Sequence, residues 1–452
     1  MSLPAGRIHI VGAGGAGMSA ISKLLLGKGH EVSGSDLRGG ATLDALADLE
    51  MKVSIGHNPE AVVGAGLVVA SSAVPEYDEE LEAARKEGIE VWRRPRLLAA
   101  ITEEIPTIGA TGTHGKTTTT AMLITALRAL GEDPSFIVGG DLVEAGTNGH
   151  LGEDALLVLE ADEAFRTFES LTLVGLVVTN VEHEHVDHFV TPGEMEESFI
   201  GVAGRVSGPV LACRDDPGSG RVADKAGSLS YGFDESADWV LADFEPGHGA
   251  VSFTLRSARG RWRVTVPQPG RHVALNAAGA LALLGEMGRD VEQAALGLSS
   301  FRGVGRRWEH RGTVRGVMLY DDYAHHPTEV AAVLEAAAST TEGRIWAVFQ
   351  PHLYSRTDRF SDEFGAALSK ADVVVVTDVF GAREAPVPGV TGDLIARAVR
   401  AVGGNVEYVA SRRDLAEFIA PRVEPGDLVL SIGAGDITLL HNELAPIIDE
   451  RP

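Results

Sequence analysis

A single cysteine, Cys213, is the only thiol in 452 residues, so no internal disulfide can brace the chain. Positive charge is also short, with 39 lysines and arginines against 64 aspartates and glutamates and a formal balance of -25. That excess of acid argues against a nucleic-acid groove or an anionic membrane surface as the main partner, and any anionic ligand must be held by local positive groups. Long apolar runs are missing as well. The longest candidates, residues 67–70 and 373–376, are strand-sized, against the roughly 20 residues that span a bilayer. No basic, apolar, small-residue signal opens the chain, so a soluble cytoplasmic protein is expected. Hydrophobic residues make up 44% and charged residues 23%, an ordinary globular composition, and the length suggests roughly three domains.

What is present is a loop. Residues 110–118 read Ala-Thr-Gly-Thr-His-Gly-Lys-Thr-Thr, after an apolar stretch and before a helix-like run at 119–130. Glycines let consecutive N–H groups turn toward one anion, the helix N-terminus adds partial positive charge, and Lys116 and Thr117 supply an ammonium and a magnesium-ligating hydroxyl. Such a loop, contacting its ligand through Gly112, Thr113, His114, Gly115, Lys116, Thr117 and Thr118, suits the polyphosphate of a nucleotide. The strict spacing is not met, since Ala110 stands where the first glycine belongs and Gly112 supplies the flexibility. An ordinary strand-to-helix turn is the bland alternative. Lysine is scarce in this chain, arginine carrying most of the positive charge, which favours the phosphate reading. As an exposed loop residue, Lys116 is expected to contribute little to the core.

Residues 7–100 alternate strand-like pieces at 7–11, 31–35 and 67–71 with a helix-like run at 18–27, the rhythm of a parallel sheet. Between the first strand and helix lies Gly12-Ala13-Gly14-Gly15-Ala16-Gly17, a full G-x-G-x-x-G, and Asp36 ends the next strand where an acid often meets a ribose. The motif fits a dinucleotide, the diphosphate of a nucleotide sugar, or no ligand.

From about residue 105 the chain carries the phosphate loop, then a strand at 155–159 ending in Glu160-Ala161-Asp162-Glu163. A carboxylate at that strand end can hold the magnesium of a bound nucleotide, and Glu160 is the first choice. A strand at 176–179 leads into Asn180-Val181-Glu182-His183-Glu184-His185-Val186-Asp187-His188, which suits magnesium, a solvated loop or, without cysteine partners, less readily zinc. Residues 205–270 read as a hydrophilic β-meander with turns at Asp216-Pro217-Gly218 and Pro269-Gly270. From Gly305 the parallel rhythm returns, with strands at 317–320, 344–349, 373–376 and 428–432. Two clusters stand at strand ends, Asp321 to Pro327 and Gln350 to Arg356. For His325 and His326 a capping or packing role competes with a functional one, as a surface role does for Arg356.

Taken in order, residues 112–118, 160–163, 303–309 (Gly-Val-Gly-Arg-Arg-Trp-Glu), 322–329 and 349–357, with Gly-Gly-Ala-Gly-Met-Ser at 14–19, resemble the Mur ligases over nearly the whole chain. The resemblance implies an α/β protein of three domains: a Rossmann-like N-terminal domain at 1–103, a P-loop ATPase-like central domain at 104–304, and a Rossmann-like C-terminal domain at 305–452. It assigns the first glycine loop to the diphosphate of a UDP-sugar, with Gly14, Gly15, Ala16, Gly17, Met18, Ser35, Asp36 and Ser71 as contacts. In particular the motifs resemble the branch that adds L-alanine to UDP-N-acetylmuramate. There ATP phosphorylates the lactyl carboxylate and the amine of alanine then displaces phosphate. By motif position, Lys116, Glu160, His185 and Arg307 carry catalysis, and Thr117, Glu160 and His185 ligate Mg2+. Asn276, Arg307 and Asp322 join the loop around ATP, while Tyr323, His325, His352 and Arg356 meet alanine. The implied cofactors are ATP and Mg2+, the implied partners UDP-N-acetylmuramate and L-alanine, and the assembly a monomer or dimer.

The chain departs from that pattern at Glu184, at Ala164 and Phe165, at Val273 and at Leu353. No lysine occurs between Lys116 and Lys225, so the carbamylated lysine of sister ligases is absent from that stretch. Three rival readings stand: a ligase of intact tripeptide onto the same sugar nucleotide, a nicotinamide-dependent oxidoreductase, and a non-catalytic nucleotide-gated binding protein.

Overall fold

The computed structural model describes residues 3–183, 189–382 and 384–450. The chain divides into two compact units, one of Met1–Phe244, Phe253–Thr265 and Leu275–Arg302, the other of Glu245–Ser252, Val266–Ala274 and Gly303–Pro452. Among the described residues no helix is long and apolar enough to cross a membrane.

The first unit begins with a five-stranded, all-parallel sheet in the order Lys52–Ile55, Val32–Asp36, Arg7–Val11, Ala65–Ala70, Val91–Arg93. Ile8, Ile10, Leu67 and Val69 supply one face of its core. Against them helix Ala16–Gly27 buries Ile21, Leu24 and Leu25, a spacing that places all three on one side of a helix. Reversal of strand order beside Arg7–Val11 opens a crevice at the carboxyl ends of the strands, the usual ligand position in such sheets.

A ten-stranded sheet follows. Its parallel centre runs Leu229–Gly232, Val210–Cys213, Gly175–Val178, Thr107–Thr111, Asp154–Glu160, Pro134–Leu142, with Thr147–His150 antiparallel at one edge. Helix Ala16–Gly27 is fixed to that edge. Gly149 lies so close that an added Cβ would sit 2.3 Å from the Ala20 carbonyl oxygen, and the Asn148 amide donates to Ala16 O at 2.8 Å. Lys23 reaches Asn148 Oδ1 at 2.8 Å and Thr147 Oγ1 at 3.0 Å.

The expected meander at 205–270 is only partly found. Asp216-Pro217-Gly218 starts helix Pro217–Ala226 instead of a turn: the Asp216 side chain accepts from Ser219 N, and Pro217 sits in the first turn, where its missing N–H costs nothing. Pro269-Gly270 likewise precedes helix Arg271–Glu286. Strands Trp239–Gly247, Ala250–Ser257 and Gly260–Val266 do form the succession read from the sequence.

The second unit holds a six-stranded sheet, Glu309–Val314, Val317–Asp322, Leu428–Ile432, Ile345–Phe349, Val373–Val376, Val406–Tyr408, antiparallel only at its first pair. Ile345–Phe349 and Leu428–Ile432 are buried throughout, as continuous apolar runs predict. Beneath the strand ends lies a buried chain of polar groups. His441 Nε2 donates to Tyr320 O at 2.7 Å and lies 2.9 Å from Ser431 Oγ, whose hydroxyl donates to Asp321 Oδ1 at 2.5 Å. With Ser431 and Asp321 wholly buried, this is a structural network rather than a hydrolytic triad.

His441 Nδ1 has no hydrogen-bond partner among the described residues, and burial holds the imidazole down to about 4 from 6.5. The unfolded chain therefore takes the proton first, so the stability contribution is full above about pH 6.5 and is lost as pH falls toward 4. Asp322, pushed up to about 6 by burial, has the opposite sign and loses stability as pH rises through its own window. Urea unfolding of wild type and His441→Gln at pH 7.5 and 4.5 separates the two. Wild type is expected to lose about 2–3 kcal/mol more than the variant on acidification, and parallel pH dependences would refute the assignment.

Candidate functional site

The loop after strand Thr107–Thr111 takes its shape from close approaches that exclude side chains. Gly112 has φ +132°, and a Cβ there would meet Thr179 Oγ1 at 2.1 Å. Gly115, at φ +83°, precedes helix Lys116–Ala129, and a Cβ on it would lie 2.7 Å from Asn276 Oδ1. Asn276 is thus beside the loop, as expected. Asn180 latches the loop from the neighbouring strand end: its Oδ1 accepts His114 N at 2.8 Å and its Nδ2 donates to His114 O at 3.0 Å. Glu182 adds a carboxylate 2.8 Å from His114 Nε2, and its main chain exchanges hydrogen bonds with the Thr113 hydroxyl. The sequence suggested a magnesium site, a solvated loop or zinc for the stretch that holds Asn180 and Glu182, not a brace for the glycine loop. Their use as a brace depends on pairing across 66 to 69 residues, which no local pattern reports. The metal candidate His185, with Glu184, Asp187 and His188, lies outside the described residues.

Lys116 is not the exposed residue expected from the sequence. Its side chain is 12% exposed and its ammonium sits 2.8 Å from Oε1 of the fully buried Glu163, also donating to Gly112 O at 2.7 Å and Thr113 O at 3.2 Å. Burial alone would depress the ammonium, but the carboxylates of Glu163, Asp162 and Glu160 outweigh it and raise the pKa. The acidic strand end therefore folds directly beneath the loop. Glu160 Oε1 accepts from Thr117 Oγ1 at 3.0 Å, and its Oε2 accepts from Gly139 N at 2.7 Å. Burial and the neighbouring Asp162 push the Glu160 carboxyl up, against the pull of Lys116. A hydroxyl and a half-buried carboxylate placed together match the hard oxygen donors that Mg2+ prefers.

In the five-stranded sheet, a cavity of about 440 Å³ opens at the strand ends and is lined by Gly12, Gly15, Ser35, Asp36 and Ser71 among others. Gly14 faces an adjoining recess of about 390 Å³ with Asp36 and Arg38. Asp36 Oδ2 accepts Gly14 N at 2.9 Å, so this acid holds the glycine loop in place. Ala16 and Gly17 form the first turn of the helix, whereas Met18 packs into the core. Glu80, missed in the sequence, organises the cavity wall: it accepts from Ser35 Oγ at 2.7 Å and Asn58 N at 2.8 Å, and lies 2.8 Å from His9 Nε2. Only tertiary pairing over 71 residues brings His9 and Glu80 together.

Within the second unit the expected amino-acid residues do cluster. The rings of Tyr323 and His325 are 5.3 Å apart, those of His325 and His352 6.0 Å, and Arg356 Nη1 is 3.4 Å from His352 Nδ1. Arg307 stacks over the Tyr323 ring at 5.0 Å, with Arg306 at 4.9 Å. Asp322 accepts from Trp308 N and Ala324 N, both at 2.8 Å. His326 precedes helix Pro327–Ala338, and Glu329 accepts the N–H groups of both His325 and His326, so the capping role holds for His326. Leu353 adopts φ +71°, a strained conformation for a branched residue, at the turn that presents His352 and Arg356.

Family models match this order of parts: the Mur ligase family catalytic domain over residues 7–105, the Mur ligase middle domain over 110–284, and the Mur ligase glutamate ligase domain over 306–435. The chain belongs to the Mur ligase family. The UDP-N-acetylmuramate-L-alanine ligase of Saccharopolyspora erythraea is 44% identical, over 98% of this chain and 94% of that protein. The crystal structure of the UDP-N-acetylmuramate-alanine ligase of Thermotoga maritima superposes with a TM-score of 0.86 at 26% identity, over 98% of this chain and 99% of that one. A murein peptide ligase of Psychrobacter arcticus shares the fold at a TM-score of 0.73 and 23% identity, over 99% and 100% of the two chains.

For this Mur ligase the buried pair beneath the loop has a measurable consequence. Lys116→Met leaves Glu163 buried without its counter-ion and is expected to destabilise the protein by about 3 kcal/mol. Lys116→Met with Glu163→Gln removes both charges and should recover most of that loss. Denaturant unfolding of the two variants decides the point; equal stability of wild type and Lys116→Met would show that the pair is not formed in solution.

Proposed function

We propose that this Mur ligase joins L-alanine to the lactyl carboxylate of UDP-N-acetylmuramate in the cytoplasm, converting ATP to ADP and phosphate. The observation that carries the reading is the assembly of Lys116, Thr117 and Glu160 around one loop in a chain 44% identical to a ligase of that name. Residues 1–103 take the sugar nucleotide, 104–304 take ATP, and 305–452 take the amino acid. Carboxylate and amine do not condense in water, so the carboxylate oxygen first attacks the γ-phosphorus of ATP and ADP leaves. The free amine of alanine then attacks the acyl carbon, phosphate departs and the amine loses a proton.

Phosphoryl transfer needs alignment and charge neutralisation more than covalent help. Lys116 supplies a fixed positive charge, and loop N–H groups at the helix N-terminus supply aligned dipoles. Thr117 and Glu160 are the residues that would hold Mg2+, which would supply charge neutralisation during phosphoryl transfer. Arg356 is the partner for the alanine carboxylate, where a guanidinium makes two parallel hydrogen bonds. Tyr323, His325 and His352 surround it.

Phosphate release should require ATP, UDP-N-acetylmuramate and L-alanine together, and the intact tripeptide should not replace alanine. Release without the sugar nucleotide, or equal rates with tripeptide, would overturn the assignment. Arg356→Lys is expected to raise KM for alanine at least tenfold and to leave KM for ATP within twofold, because an ammonium lacks the two-pronged geometry. An unchanged alanine dependence would remove Arg356 from that role.

A further inference from the structure

Residues 303–309 carry two adjacent arginines, of which motif position gives a role only to Arg307. Arg306 is held from several sides. Its Nη2 donates to two main-chain carbonyls, Gly433 O at 2.7 Å and Gly435 O at 3.0 Å, in the turn that follows strand Leu428–Ile432. Its Nε lies 3.5 Å from Oδ2 of Asp321, and its guanidinium covers the Tyr323 ring at 4.9 Å. Its own carbonyl accepts Tyr323 N at 2.7 Å. The backbone bends to allow this: Arg306 has φ +59° and Trp308 φ +50°, a conformation that such residues keep only where the surroundings impose it.

Asp321 explains why a cation stands there. Its carboxylate is wholly buried, and a buried charge is tolerated when it is paired and hydrogen-bonded. Ser431 Oγ and Thr438 Oγ1 donate to its two oxygens at 2.5 and 2.6 Å, and Arg306 adds positive charge. The guanidinium is thereby fixed from its buried side while Nη2 reaches the 433–435 turn. That turn backs on the other half of the amino-acid cluster. A Cβ on Gly435 would lie 2.3 Å from Gln350 Oε1 and 2.6 Å from Phe380 Cγ, and Phe380 stacks on His352 with ring centroids 6.0 Å apart and planes 14° from parallel. One guanidinium thus joins the support of Tyr323 to the support of His352, which come from different strand ends.

We propose that Arg306 is a positioning residue for the amino-acid site: by clamping residues 433–435 to the end of strand Val317–Asp322 it fixes the spacing between Tyr323 and His352, and buried Asp321 holds the clamp in register. A guanidinium suits this task because one nitrogen spans two carbonyls while another stays beside a carboxylate, which a single ammonium does not reproduce. The inference rests on the alanine reading of that cluster given above.

Steady-state kinetics of alanine-dependent phosphate release test it on wild type, Arg306→Met, Arg306→Lys, Asp321→Asn, the double variant of Arg306→Met with Asp321→Asn, and Thr438→Val. Arg306→Met is expected to raise KM for alanine about tenfold and to leave KM for ATP and for UDP-N-acetylmuramate within about twofold. Asp321 is too deeply buried to touch a substrate, so a selective rise of about threefold in Asp321→Asn would act through Arg306, and the double variant should be no worse than Arg306→Met. Arg306→Lys should recover less than half of the loss. Equal rises in KM for all three substrates would mean a structural role only, multiplied effects in the double variant would make the two residues independent, and full recovery in Arg306→Lys would reduce the role to charge; each overturns the proposal. Thr438→Val removes one hydrogen bond of the clamp at nearly constant shape and should raise the same KM by a smaller factor, so an unchanged alanine KM there overturns the proposal even if the other variants fail to fold. Absence of alanine-dependent release in wild type would instead remove the functional reading.

Discussion

The ion pair between Lys116 and Glu163 is the constraint around which the glycine loop before helix Lys116–Ala129 is arranged. Burial disfavours the charged Lys116 ammonium, and the carboxylates of Glu163, Asp162 and Glu160 outweigh that penalty. Glu163 keeps it charged, and the carbonyl oxygens of Gly112 and Thr113 orient it. Glu160, three residues earlier, accepts from Thr117 instead of Lys116, so the acidic strand end divides its contacts between the lysine and the threonine.

Parallel sheets explain why these groups meet. Each strand delivers its carboxyl end to the same edge, and each following helix presents its N-terminus there. Thr107–Thr111 and Asp154–Glu160 are neighbours in register, with Ala110 opposite Glu160, so loop and acid share one edge without any special contact. Helix Ala16–Gly27 is locked to the edge hairpin of the ten-stranded sheet through Asn148, Gly149 and Lys23. The glycine loop at its start is thereby held at a fixed place relative to Glu160 within one compact unit.

Departures from the family pattern are absorbed locally. Phe165 and Arg166 both adopt left-handed backbone conformations, φ +55° and +53°, which cost about 1–2 kcal/mol each for such residues. Arg166 pairs with Glu169 and Glu194 and places its guanidinium 4.9 Å over Phe189. Val273 is buried at 2% exposure and packs as an apolar side chain. Leu353 is buried as well, in a strained turn that points His352 and Arg356 toward the same cluster.

By itself the sequence determined the parallel α/β rhythm, both glycine loops and the strand-end acids, because each is written in contiguous residues whose spacing follows backbone geometry. It also carried the family, since five ordered motifs survive as local strings. Misreadings arose where one dipeptide serves two purposes: Asp216-Pro217 suits a turn or a helix start, and only the partner Ser219 N decides. Tertiary structure alone decided that Lys116 is buried against Glu163, that Asn180 latches His114, that Glu80 meets His9, and that Arg94 lies over Gly17. Those pairings span about 50 to 80 residues, and a carboxylate or guanidinium in a string of letters carries no mark of the partner that folding will bring to it.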